Sequence, residues 1–175
     1  MNADTLTNRE MAAVMFNIAT ILRAGGNENP FRTAAYERAG RALMGLGTEA
    51  RHILEYDPQV PFRRRQHIGK KLQAKIREMA ATGRLEQYAE LVRQELPPYA
   101  ADLMRVPGVG PVTARRIYET LGVTTAEGLV RAARDGSLRA VPGFGPRRIQ
   151  GVIAAGRALL RSGAGERVVQ LTLPC

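Results

Sequence analysis

Leu103-Met-Arg-Val-Pro-Gly-Val-Gly-Pro111 returns thirty-five residues later as Leu138-Arg-Ala-Val-Pro-Gly-Phe-Gly-Pro146. In each copy an apolar residue and a proline precede Gly-x-Gly, and a segment of helical periodicity follows at once. The first runs from Val112 to Leu121 and carries Arg115 and Arg116. The second runs from Arg147 to Leu160 and carries Arg147, Arg148 and Arg157. Two related units of this size pack against each other more readily than one stands alone. Between them Thr124 and Glu127 predict a capping box for a further helix. Gly108, Gly110, Gly143 and Gly145 allow backbone angles closed to other residues and remove the Cβ that would block a close ligand. A helix that starts there offers unpaired N–H groups and the positive end of its dipole, which suits a phosphate. Arginines one turn later can hold a neighbouring phosphate. Such contacts fix position and carry almost no base-sequence information.

Outward from this repeat the chain reads as short helices divided by Gly and Pro, with no strand alternation before the tail. Met11, Val14, Met15, Ile18, Ile21 and Leu22 recur at helical spacing, opened by a Thr7–Glu10 capping box and stopped at Gly25-Gly26. The run is a mature amphipathic helix rather than a signal peptide, and nothing in the chain is long enough to span a bilayer. A second helix follows Asn29-Pro30, from about Phe31 to Leu46. Its expected core face is Phe31, Ala34, Ala35, Ala39, Ala42, Leu43 and Leu46. A third piece runs from Thr48 to Tyr56. Lys70 and Lys71 lead into a helix to about Ala81, and Leu85, Tyr88, Ala89, Leu91 and Val92 mark another, closed by Pro97-Pro98. The double proline sets the expected boundary: one domain over 1–96, a second over 97–163, and a tail over 164–175. Within the tail, Val168 to Leu173 reads equally as a short strand or as disordered.

The charge balance narrows the partner. The chain has 175 residues, with 26 Lys and Arg against 16 Asp and Glu, a formal net charge of +10. That points to a polyanion, nucleic acid ahead of an acidic membrane surface. No predicted helix pairs a cationic face with a large aromatic-rich one, which sets the membrane aside. The single cysteine, Cys175, permits no internal disulfide and fits a reducing, cytoplasmic setting near the nucleoid. Two histidines and four scattered aspartates, with no Asp-x-Asp, do not supply the carboxylates of a two-metal centre. The expectation is therefore neither a polymerase nor a metal nuclease.

Of the 26 cations only Lys70, Lys71 and Lys75 are lysines, and they fall within six residues. Arginine replaces lysine freely where only charge matters, but a guanidinium cannot form a Schiff base. Lys71 and Lys75, four apart, share a helical face. Two readings stand side by side: a catalytic amine whose pKa is depressed by neighbouring cations, or three phosphate contacts on a basic helix.

The Gly-x-Gly turns resemble helix-hairpin-helix motifs. Residues 8–162 are similar to the N-terminal part of the X family of DNA polymerases, which includes DNA polymerase beta and bacterial PolX. The resemblance is carried by Asn29-Pro-Phe-Arg-Thr-Ala-Ala-Tyr36-Glu-Arg-Ala, Ile68-Gly-Lys-Lys-Leu-Gln-Ala-Lys-Ile76, Ala81-Thr-Gly-Arg-Leu85 and the two later hairpins. It implies an all-α fold: a small helical lyase-like bundle followed by a tandem helix-hairpin-helix module. It also implies binding to gapped or nicked DNA at the 5′-phosphate and, in some members, removal of 5′-deoxyribose phosphate through a lysine Schiff base. By motif position Lys75 matches that nucleophile, Lys71 a supporting phosphate-binding lysine, and Tyr36 a tyrosine of the same site. Arg32 stands where the beta enzyme has a lysine, and Gly69 and Lys70 belong to the first hairpin. The family implies no organic cofactor, but its hairpins can hold a monovalent cation, K+ or Na+, on backbone carbonyls. One departure stands out: Gln66-His67-Ile68-Gly69 replaces the first glycine of the pattern with histidine, which predicts a distorted first hairpin.

Three functions follow as expectations. The first is sequence-independent DNA docking in repair, with a separate repair enzyme as partner. The second is a 5′-deoxyribose-phosphate or abasic-site lyase, and the third a helix-hairpin-helix protein-interaction scaffold. Open exposure of Arg115, Arg116, Arg147 and Arg148 favours docking; burial against other helices favours the scaffold.

Overall fold

A computed structural model describes residues 6–26, 29–56 and 68–161. Among these residues there are α-helices and one 3-10 turn and no strand, as the sequence predicts. The chain divides into two compact units, Met1–Val92 and Arg93–Cys175.

The first unit is built on α1 (Asn8–Ala24) packed along α2 (Pro30–Met44). Thr7 and Glu10 form the predicted capping box, and Gly25 and Gly26 end the helix. All six apolar positions read from the sequence are buried. Asn17, on the same buried side, donates its amide to the Tyr88 hydroxyl at 2.9 Å, so neither polar group is left without a partner. Asn29 caps α2 on the N–H groups of Phe31 and Arg32, and Pro30 takes a first-turn position where its missing N–H costs nothing.

The buried face of α2 differs from the expected one. It comprises Thr33, Tyr36, Ala39, Gly40 and Leu43, while Phe31 is 80% exposed and Ala34, Ala35, Ala42 and Leu46 are half-buried. An alanine-rich helix gives its apolar pattern little direction. A close approach sets the rotation instead: a Cβ on Gly40 would lie 2.8 Å from the Phe16 ring. The third helix, α3 (Ala50–Tyr56), starts two residues later than expected. Asn8 fixes that start by donating to the Thr48 carbonyl at 2.8 Å and accepting from the Ala50 N–H at 2.7 Å. α4 (Lys70–Thr82) packs on α3 and ends at the left-handed Gly83, and α5 (Glu86–Glu95) follows. The buried Gln73 donates to the Ile68 carbonyl at 2.8 Å and ties the entry of α4 to its second turn.

In the second unit Pro98 opens a helix as well as following one. It stands in the first turn of α6 (Pro98–Leu103), an element that no sequence signal separates from the hairpin after it. Next come α7 (Pro111–Leu121), α8 (Ala126–Asp135), a 3-10 turn at Ser137–Ala140, and α9 (Pro146–Arg161). The cap of α8 is Thr125, not the predicted Thr124: its hydroxyl accepts from the Gly128 N–H at 3.0 Å. A capping box needs Glu or Gln at the third helical position, and that position is Gly128, with Glu127 one residue short. Asp102 adds a second cap, one carboxylate oxygen on the Ala126 N–H at 2.7 Å and the other on Arg105 at 2.8 Å.

The internal repeat is also a repeat of the core. Leu103, Val106, Val109, Ala114 and Ile117 are buried, and so are Leu138, Val141, Phe144, Ile149 and Val152 at the same thirty-five-residue offset. Neither copy could bury this face alone. His67 with the first half of the first hairpin, and the tail from residue 164 onward, lie outside the described residues.

Candidate nucleic-acid interface

The two turns of the second unit are built alike. Gly108 and Gly143 take φ of 91° and 88°, the left-handed region that a side chain would strain. The Val109 N–H donates to Val106 and the Phe144 N–H to Val141, both at 3.1 Å. The second glycines do something different. Gly110 is extended, with φ −95° and ψ −179°, and stands as the N-cap of α7 with no capping side chain over the first turn. Gly145 borders open space where a Cβ would be. Each turn thus leads directly into a helix, the first without a capping side chain and the second behind a glycine that faces open space.

The four arginines after these turns separate into two kinds. Arg115, Arg116 and Arg147 are exposed. Arg115 pairs with Glu119 in its own helix at 2.8 Å, a contact three-quarters open on the arginine side and easily exchanged for a phosphate. Arg148, which the sequence places on phosphate as well, is half-buried and turned into the protein. Its guanidinium lies 4.4 Å from the Phe144 ring centre and donates to the Gly143 carbonyl at 3.2 Å, the Gly108 carbonyl at 2.6 Å and the Thr113 hydroxyl at 3.3 Å. Thr113 and Arg148 are equivalent positions in the repeat, so their contact lies where the two copies meet face to face. Arg116 crosses in the other direction, donating to the Pro142 carbonyl at 3.0 Å. The turns are therefore clasped to each other by guanidinium groups. The carbonyls of Pro142, Gly143 and Gly108 each accept from one of these donors.

In the first unit three helices bring a second group together. Tyr36 and Arg32 come from α2, Lys71 and Lys75 from α4, and Gln87 from α5. Tyr36 is buried and Lys75 half-buried, while Arg32 and Lys71 are exposed. Burial raises the Tyr36 phenol above its ordinary range, partly offset by Arg32 and by Gln87. Burial likewise lowers the Lys75 amine. The carboxylate of Glu78 opposes that shift, and the charges of Arg32 and Lys71 add to it. Lys75 Nζ donates to the Gln87 amide oxygen. Gly69 is extended and caps α4 without a side-chain bond, and Lys70 beside it is exposed.

Gln87 carries no signal in the sequence that separates it from any surface glutamine. Only the packing of α5 brings it to Lys75. Among the described residues no group of three or more His, Cys, Asp or Glu is gathered as for a metal ion. None of the described helices is long and apolar enough to cross a membrane.

Comparison with known proteins agrees with this construction in both halves. Residues 6–85 match the family described as Helix-hairpin-helix domain, and residues 100–158 the family described as SAM-like Helix-hairpin-helix tandem. The DNA polymerase/3'-5' exonuclease PolX of Bacillus subtilis (strain 168) is 26% identical over 147 residues, which cover 84% of this chain. The chain spans about a quarter of the length of that relative, 24%. Both matched regions are helix-hairpin-helix domains, and in this order the chain is similar to the N-terminal region of the X-family DNA polymerases.

Proposed function

We propose that this chain is a DNA-binding protein of repair that docks on the phosphate backbone at gaps or 5′-phosphate ends and reads no base sequence. The observation that carries the reading is the exposure of Arg115, Arg147 and, beyond its bond to Pro142, Arg116, directly after two glycine turns that open helices. An interaction scaffold would bury such residues against partner helices. The first unit adds cations beside Tyr36 that suit a 5′-phosphate, and a separate repair enzyme would act on the end so held. The test is fluorescence anisotropy on three DNAs of one sequence: intact duplex, a gapped duplex with a 5′-hydroxyl, and the same gap with a 5′-phosphate. Tightest binding to the phosphorylated gap is expected, with affinity indifferent to base sequence. Equal affinity for gapped and intact duplex would remove gap recognition and leave general docking.

One observation favours a second reading, lyase chemistry at the same ends: the half-buried Lys75 donates to Gln87 and lies near the charges of Arg32 and Lys71, which with burial lower its pKa. A neutral Lys75 amine would add to the C1′ aldehyde of a 5′-deoxyribose phosphate and lose water to form an imine. Loss of a C2′ proton then breaks the C3′–O bond and releases the downstream strand with its 5′-phosphate, and hydrolysis of the unsaturated sugar imine frees the amine. Borohydride should trap the imine on gapped abasic DNA, and Lys75→Ala should abolish the trapped product.

A further inference from the structure

The half-buried amine of Lys75 is approached from three helices, and among the described residues the groups facing it are few. From α2 come Arg32 and Tyr36, from α4 Lys71 and Glu78, and from α5 Gln87. The only carboxylate among them is already engaged: Glu78 accepts from the Glu86 N–H at 2.9 Å and so caps the first turn of α5. That cap places the next residue, Gln87, over Lys75. The Gln87 amide then serves two neighbours. Its oxygen accepts from Lys75 Nζ. Gln87 and Arg32 also act on the Tyr36 phenol, and each lowers its pKa.

We propose that Gln87 is a positioning residue for Lys75: its amide oxygen aims Nζ while adding no negative charge. A carboxylate at this position would hold the lysine as an ammonium in an ion pair and take away its lone pair. An amide oxygen accepts from –NH3+ and from –NH2 alike, more strongly from the former but without an ion pair, so it orients the amine in both protonation states. This inference rests on the lyase reading for its purpose, but its geometry can be tested without that chemistry.

The experiment compares the full chain with Gln87→Glu, a change of nearly identical shape at an exposed position, and with Gln87→Met, which removes both polar ends. Two measurements are made across pH 6 to about 11, a range that brackets the ordinary lysine value. One is the titration of Lys75 by NMR of its Cε and Nζ nuclei, tractable because only three lysines need resolving. The other is the rate of borohydride trapping on gapped abasic DNA. Gln87→Glu should move the Lys75 titration, and the pH midpoint of trapping with it, upward by about one unit. Gln87→Met should slow trapping at every pH by about tenfold, the cost of a misaimed nucleophile. A Lys75 titration that Gln87→Glu leaves in place overturns the proposal. If the titration moves but the wild-type chain traps no DNA, the positioning role stands and the lyase reading falls.

Discussion

At the level of single residues the structure separates side chains that look alike in sequence. Phe31 and Leu43 both read as core positions of α2, yet one is 80% exposed and the other 1%. Leu43→Ala should cost about 2–4 kcal/mol of unfolding free energy, while Phe31→Ala should leave the denaturation midpoint unmoved. Gly156 stands at the opposite extreme from the turn glycines. A Cβ there would lie 2.4 Å and 2.5 Å from the two methyls of Val130 and 3.0 Å from its Cβ, atoms anchored close to the α8 backbone. Gly156→Ala should therefore lower stability by about 1–2 kcal/mol, overpacking outweighing the gain in helix propensity, as a thermal melt would register. Lys75 gives the pH-dependent case. Its folded pKa is lowered, so the neutral amine appears below the ordinary lysine value of about 10.4. Competitive acetylation read by mass spectrometry should show Lys75 reaching half its maximal rate below that pH. Replacing Glu78 by Gln should lower the midpoint further, because that carboxylate is the one group holding the ammonium form.

Elements are more legible than residues. Strong periodicity and paired caps mark α1 to within a residue, and Gly-x-Gly-Pro marks the starts of α7 and α9. Short elements escape, because α6 and the 3-10 turn offer too few residues for a period to show. The cap of α8 slips by one position between adjacent threonines for the same local reason, since either hydroxyl is chemically suitable. Thr125→Ala should cost about 1 kcal/mol, and Thr124→Ala very little. The two arginine roles are beyond sequence altogether. Arg148 and Arg116 follow equivalent turns, and only the meeting of the two copies turns them onto carbonyls. Binding can separate the roles: Arg115→Ala should flatten the slope of log affinity against log salt by about 0.9, the value for one phosphate fewer neutralised. Arg148→Met should instead weaken binding and lower the melting temperature together, leaving that slope unchanged.

For the molecule as a whole, the +10 charge draws attention to a polyanion, and among the described residues two kinds of cationic surface stand out. One is the pair of helix starts with exposed arginines. The other is the lysine-bearing helix beside Tyr36. If four phosphates are neutralised in the complex, affinity should fall about 100-fold between 50 and 200 mM salt, measured by anisotropy on the phosphorylated gap. The all-α class and the repeat are legible because they rest on patterns many residues long. The cluster around Lys75 is legible in part: Tyr36, Arg32 and Lys71 come through resemblance and Glu78 lies three residues on in the same helix, whereas Gln87 depends on which turn of α5 meets which turn of α4. A single chain without its relatives holds no record of such a meeting.

The bond from Arg148 to the Gly108 carbonyl also dictates an order of events during synthesis. Forty residues separate the two partners. A ribosome adding about 5–20 residues per second therefore exposes the first turn for some seconds before its clasp exists. During that interval the first copy has neither the apolar face of the second nor the guanidinium that fixes its carbonyl. The second unit should consequently mature in one step, when α9 emerges, rather than turn by turn. A nascent chain stalled before residue 148 would present a single loose hairpin, easily proteolysed, and a chain extended past α9 would present the finished pair.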